Sequence, residues 1–192
     1  ELLLEDQEKK QSGTFYTPPF VVDYISSNAV KSDSKIIDIS CGCGAFLIGA
    51  LKRLKKVTSK NIIELIENNI FGVDISEIVI ERAKTILTLF ALINGEDRKI
   101  INFNLYVCDS LTFDFSPLRK KSSLGFDVVV GNPPYTKLSN NYKIRELNSK
   151  FSTLLNGNSR PNLYVLFFEL MLSLVNKKGG RLGVVVPLSV AY

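Results

Sequence analysis

Lys35-Ile36-Ile37-Asp38-Ile39-Ser40-Cys41-Gly42-Cys43-Gly44-Ala45-Phe46-Leu47 is the stretch that decides the fold. A brief apolar run breaks at a turn holding two glycines, after which Phe46, Leu47, Ala50, Leu51 and Leu54 recur on one helical face. The pattern is strand, glycine turn, helix. It repeats downstream, where Ile70-Phe71-Gly72-Val73 ends at Asp74 and Ser76 stands as a cap for a helix through Ala83, Ile86, Leu87 and Phe90. Phe103 to Cys108 ends at Asp109, and the unbroken apolar run Phe126 to Val130 ends at Gly131-Asn132-Pro133-Pro134-Tyr135. Both runs read as buried strands.

Working outward, Thr17 to Val30 reads as a short helix capped by Thr17 and opened by Pro18, with Val21, Val22, Ile25 and Ala29 on its apolar face. Further helices are expected over Asn61 to Asn69 and from about Pro161 to Val175. Gly179-Gly180 then leads into a strand over Leu182 to Val186, which Pro187 stops. Residues Thr136 to Arg160 are polar and aperiodic, a length of loop that in a compact domain is functional or disordered. The alternation implies an α/β fold, a doubly wound and mostly parallel sheet. Residues 1–16 form a lead-in and 17–192 a single domain; the missing initiator methionine and the abrupt end after the last strand suggest a piece of something longer.

The composition narrows the chemistry. With 192 residues, 45% hydrophobic and 22% charged, the chain is an ordinary globular one, and a net charge of +5 raises the prospect of a polyanionic partner only modestly. No run approaches the about 18 apolar residues of a membrane span, and Glu1 to Gln11 does not resemble a leader, so a cytoplasmic protein is expected. There is no histidine, which excludes imidazole as a catalytic base. The three cysteines, Cys41, Cys43 and Cys108, match neither the usual zinc spacings nor a disulfide framework, and no metal is expected.

In doubly wound sheets ligands bind beyond the carboxyl ends of the strands, so Asp38 to Gly44, Asp74, Asp109 and Asn132 to Tyr135 carry the functional reading. Gly42 and Gly44 would let backbone amides close on a ligand, while Asp38 and Asp74 could bind an ammonium and a ribose diol. Taken singly, a glycine turn can simply turn the chain, and Asp74 or Asp109 can simply start a helix or cap a turn. Asn132-Pro133-Pro134-Tyr135 is more specific, because two prolines hold the backbone extended and leave carbonyls with no neighbouring amide.

On these residues the chain resembles the adenine-specific DNA methyltransferases of the TaqI-like and Eco57I-like type, over nearly its whole length. Gly13-Thr14-Phe15-Tyr16-Thr17-Pro18-Pro19 resembles the family's N-terminal cofactor motif, and Asp38 to Leu47 its glycine motif, with Ile39 where proline is usual and Cys43 where serine is usual. Phe71 to Asp74, Asp109 and Asn132 to Tyr135 resemble its ribose-binding, adenine-binding and catalytic segments. The resemblance implies S-adenosyl-L-methionine as cofactor, bound by Tyr16, Thr17, Pro18, Asp38, Ser40, Cys41, Gly42, Gly44, Asp74, Ile75, Asp109 and Ser110. It implies N6 methylation of adenine in double-stranded DNA within a restriction-modification protein, with Asn132, Pro133, Pro134 and Tyr135 catalytic. The Asn132 side-chain oxygen and the Pro133 carbonyl would accept the amine's N–H groups, and Tyr135 would stack on a flipped-out base. The DNA recognition region would lie beyond Tyr192.

Two other readings stay open, a protein glutamine-amide methyltransferase and an inactive DNA-binding module. Cytosine ring methylation is excluded because it needs a Pro-Cys loop. Lys137, Lys143, Arg145, Lys150 and Arg160 are candidate phosphate contacts, whereas the run Lys52, Arg53, Lys55, Lys56 and Lys60 reads as a solvated helix face.

Overall fold

The computed structural model describes residues 17–121, 125–142, 147–154 and 160–188. Helix α1 (Pro19–Ala29) leads into β1 (Ile36–Asp38), α2 (Ala45–Val57), α3 (Ile62–Asn69) and β2 (Ile70–Asp74). Then come α4 (Glu77–Ile93), β3 (Asn104–Val107), the short α5 (Ser116–Lys121) and β4 (Val128–Gly131). A 3-10 turn (Ser152–Leu154), α6 (Leu163–Leu174) and β5 (Arg181–Val184) follow. The sheet runs β3-β2-β1-β4-β5 with every pair parallel, the expected doubly wound class.

Side-chain alternation divides the strands between two cores, as a sheet covered on both faces requires. Ile36, Ile70, Val128 and Val130 face the layer of α1 to α4, packing on Leu47, Leu51, Leu65 and Leu87. Ile37, Phe71, Val73 and Val129 face the opposite layer, with Leu118 of α5 and Leu166, Leu170 and Met171 of α6. A one-residue slip of β1 would exchange its faces.

Three expectations need correction. The first helix begins at Pro19 with Pro18 as its cap residue and no side-chain capping bond, so Thr17 is free for another task. Ser76 is the cap residue of α4 but makes no side-chain capping bond; its own N–H goes to Asp74 Oδ1 at 3.0 Å. The segment from 136 to 160 is not simply a polar loop, because Leu138, Leu147, Phe151 and Leu154 are buried in the second core. Helix α5 is an element that the sequence pattern did not reveal.

Candidate functional site

Strand order reverses at β1, whose parallel neighbours β2 and β4 leave it in opposite directions, and beyond the carboxyl ends at such a switch point is where doubly wound sheets bind ligands. Asp38 closes β1, Asp74 closes β2, Asp109 follows β3 and Asn132 follows β4. The four groups gather because four strands end on one side of the sheet. Clefts of about 220 Å³, lined by Ser32, Asp33, Asp127 and Arg181, and about 510 Å³, lined by Arg119, Gly125, Ser173 and Asn176, lie instead at the strands' amino ends, so geometry and not cleft size picks the site.

The glycine turn is tied down from three directions. Cys41 N–H donates to Val73 O at 3.0 Å, Gly44 N–H to Cys41 O at 2.8 Å, and Gly42 N–H to Asp74 Oδ2 at 2.9 Å. Gly42 and Gly44 take φ of 50° and 86°, backbone that glycine adopts without strain, and a Cβ on Gly42 would meet nothing within 4 Å. Open space thus stands directly over the turn. Cys41 is buried, and its thiol is pushed well above its ordinary range by burial and then by the Asp38 and Asp74 carboxylates. Its N–H and carbonyl both serve the turn itself.

Asp38 lies beneath the turn, 1% exposed, with Oδ1 accepting Ser40 N–H at 2.9 Å. Burial pushes its carboxyl up to about 7; the Ser40 amide pulls the other way and Asp74 adds a smaller upward push. Among the described residues, the buried Ser40 hydroxyl has no hydrogen-bond partner. Asp74 is fixed by two backbone amides, and Ile75 beside it stands 69% exposed. Two carboxylates, an open glycine turn and a bare aliphatic side chain fit a nucleoside that carries a charged amino-acid tail.

Asp109 is held at both oxygens: Oδ1 accepts Leu111 N–H at 2.9 Å and Oδ2 accepts the Tyr142 hydroxyl at 2.7 Å. Ser110, expected among the cofactor contacts, is buried and donates its hydroxyl to Ile39 O at 2.6 Å, which braces the turn from beneath. Tyr16 lies outside the described residues.

Asn132 sits between two hydroxyls. Its Nδ2 donates to Thr17 Oγ1 at 3.2 Å, and its Oδ1 accepts the Tyr135 hydroxyl at 2.5 Å. Thr17, expected as a cofactor contact, therefore touches Asn132, and it is 6% exposed. Pro18 caps α1, with its carbonyl accepting Val21 N–H at 3.0 Å. Pro133 is buried and Pro134 half-buried, and burial raises the Tyr135 phenol. The Tyr135 ring meets Tyr164 edge-on at 6.2 Å. Leu138 N–H to Pro161 O at 2.9 Å and Leu163 N–H to Thr136 O at 2.7 Å tie the segment to the start of α6.

The loop cations divide differently from expectation. Lys150 Nζ donates to the Leu111 and Phe113 carbonyls at 2.8 and 3.0 Å and lies over the Phe115 and Phe151 rings; burial lowers its pKa. Arg160 donates to the Ser139 carbonyl at 2.5 Å and to the Tyr142 carbonyl at 3.3 Å. Both hold the loop instead of facing a polyanion. Lys137 is exposed, and Lys143 and Arg145 lie outside the described residues. The run near Lys55 is at the amino-end side, where Lys60 pairs with Asp33 at 2.6 Å.

The fold is that of the class I S-adenosylmethionine-dependent methyltransferases, and S-adenosylmethionine is the cofactor that goes with it. A solved protein of that description from Listeria monocytogenes superposes with a TM-score of 0.61 at 19% identity, covering 90% of this chain and 46% of its own. Residues 68–191 match the Eco57I restriction-modification methylase family, and the chain belongs to it. It is similar to the type II methyltransferase M.VspI of Vibrio sp. (strain 343), 28% identical over 180 residues, which cover 92% of this chain and 37% of that protein. A modification subunit of a putative type I restriction enzyme from Vibrio vulnificus superposes with a TM-score of 0.66 at 23% identity, covering 94% of this chain and 36% of that one. The chain thus spans little more than a third of the length of these two relatives.

Proposed function

We propose that the protein transfers a methyl group from S-adenosylmethionine to the exocyclic N6 amine of adenine in double-stranded DNA, as the modification component of a restriction-modification system in the cytoplasm. The observation that carries this reading is Asn132, held between Thr17 and Tyr135 at the strand switch point, next to the glycine turn. An aromatic amine is a poor nucleophile because its lone pair is delocalised into the ring. Two acceptors, Asn132 Oδ1 and the Pro133 carbonyl, would take its two N–H groups and localise that lone pair. Thr17 would keep the Asn132 oxygen facing the amine by occupying Nδ2, and Tyr135 would form one wall for the base extracted from the stack.

Bound cofactor supplies an electrophilic methyl group, and the chain's own groups bind and orient. Asp38 would face the ammonium of the amino-acid tail, Asp74 the ribose hydroxyls, Ile75 a face of the adenine ring and Asp109 its amine. No covalent intermediate or strong base is required; positioning and electrostatics carry the rate. Incubating the whole protein with duplex DNA and labelled S-adenosylmethionine, then digesting the DNA to nucleosides, tests the reading. Label in N6-methyladenine that disappears in Asn132→Ala supports it. Label in another base, in protein, or undiminished in that variant refutes it.

A further inference from the structure

Tyr142 lies ten residues beyond Asn132, in the segment that follows the proposed catalytic turn, yet its hydroxyl reaches Asp109 Oδ2 at 2.7 Å. Asp109 already gives Oδ1 to the Leu111 N–H at 2.9 Å. A single anchor leaves an aspartate free to turn about its terminal torsion, whereas two anchors on different oxygens fix the carboxylate plane. The tyrosine is itself held, with Arg160 donating to the carbonyls of Ser139 and Tyr142 and with the ring packed on the second core. Lys150 ties the same two segments together by donating to the Leu111 and Phe113 carbonyls. Two side chains, Tyr142 and Lys150, thus fasten the post-catalytic segment to the turn after β3, and Arg160 braces the segment from within.

We infer that Tyr142 is a positioning residue for the cofactor, orienting Asp109 so that its carboxylate reads the exocyclic amine of the cofactor's adenine. The inference rests on the proposed function, in which Asp109 faces that amine. A carboxylate oxygen has two lone pairs, so Oδ2 accepts the tyrosine hydroxyl and still has one left for the ligand N–H. Burial and the neighbouring carboxylate push the phenol well above its ordinary range, so it stays a donor at working pH. Tyr142 acts through Asp109 and does not itself touch the ligand.

The test compares the purified protein with its Tyr142→Phe variant, by calorimetry, for two probes. One is S-adenosylhomocysteine; the other is its 6-deamino analogue, with hydrogen in place of the adenine amine. The wild-type protein should prefer the first by about tenfold or more, the scale of a hydrogen bond to a charged group. In Tyr142→Phe that preference should shrink to within about threefold while affinity for the deamino analogue holds, since that probe has no amine to be read. A purely structural role would weaken both probes equally, and that result overturns the inference. So do an unchanged preference and a gain in affinity, which would make Tyr142 a competitor for Asp109. If the wild-type protein binds neither probe, the proposed function fails as well; if it binds both alike, this inference fails together with the Asp109 contact it rests on, while the cofactor and the methyl transfer stand.

Discussion

Replacing Asp38 by Asn gives the sharpest test of the cofactor site, because pH acts on this residue with opposite signs in the empty and the liganded protein. The carboxyl is buried, and burial lifts it from 3.8 to about 7. A carboxyl raised on folding favours the protonated form, so its contribution to stability is greatest below about pH 4. That contribution falls as pH rises through the interval up to about 7 and is flat above it. The interval corresponds to ~4 kcal/mol. A ligand ammonium favours the ionised carboxylate instead, so cofactor affinity should rise with pH and level off near 7, with each pH unit below that costing about tenfold. Titration calorimetry between about pH 5.5 and 7.5, repeated in buffers of different ionisation heat, reads both affinity and proton release; the window stays below the range where an α-amino group deprotonates. We expect close to one proton released at the acid end and almost none at the other. Asp38→Asn should bind weakly, with a flat profile, and should unfold with less pH dependence. A wild-type affinity that is constant across this window would refute the role given to Asp38.

Asp74→Ala removes the acceptor for the Gly42 and Ser76 amides together with the proposed ribose contact, and should weaken cofactor binding by about 1.5–3 kcal/mol in the same calorimetry. Thr17→Val should lower the methylation rate by about tenfold to a hundredfold at unchanged cofactor affinity, with Thr17→Ser restoring it; an equal loss in the serine variant would argue against amide orientation. Glu96 caps α3 from a distance, its two oxygens accepting Ile62 and Ile63 N–H at 2.7 and 2.9 Å, so Glu96→Ala should cost about 1 kcal/mol in urea unfolding while leaving cofactor affinity intact.

The sheet was legible because its buried strands are unbroken apolar runs and each stops at a residue that cannot continue one: Asp38, Asp74, Asn132. Helix α5 was not, since its six residues carry only Leu118 as an apolar anchor, too few to show a period, and Asp114 opens it by accepting Ser116 N–H at 2.9 Å. Leu147, Phe151 and Leu154 stand at i, i+4 and i+7, a helical spacing outweighed in the sequence by the polar residues around it, and Leu138 is isolated nine positions earlier. Asp38, Asp74 and Asn132 could be placed from strand ends alone. The partners of Asn132 and Asp109 could not, because Thr17 and Tyr142 reach them across 115 and 33 positions and local pattern carries no trace of such bonds. Lys150 and Arg160 looked like phosphate contacts for the same reason: charge is visible in a sequence, but the carbonyls that absorb it are not.

In the proposed reaction, the Tyr135 hydroxyl on Asn132 Oδ1 would mean that the acceptor for the target amine is not left bare: the protein keeps a proton donor of its own on that oxygen. An amide oxygen has two lone pairs, so the amine would take the second while the hydroxyl keeps the first, and a single such bond adds little net affinity. What holds the base must come from stacking and from the DNA backbone. Selectivity, in contrast, gains from the arrangement. A base that presents a carbonyl at this point has no hydrogen to offer and would set two acceptors face to face. The hydroxyl thus occupies one side of the amide oxygen and leaves the other open only to a substrate able to donate.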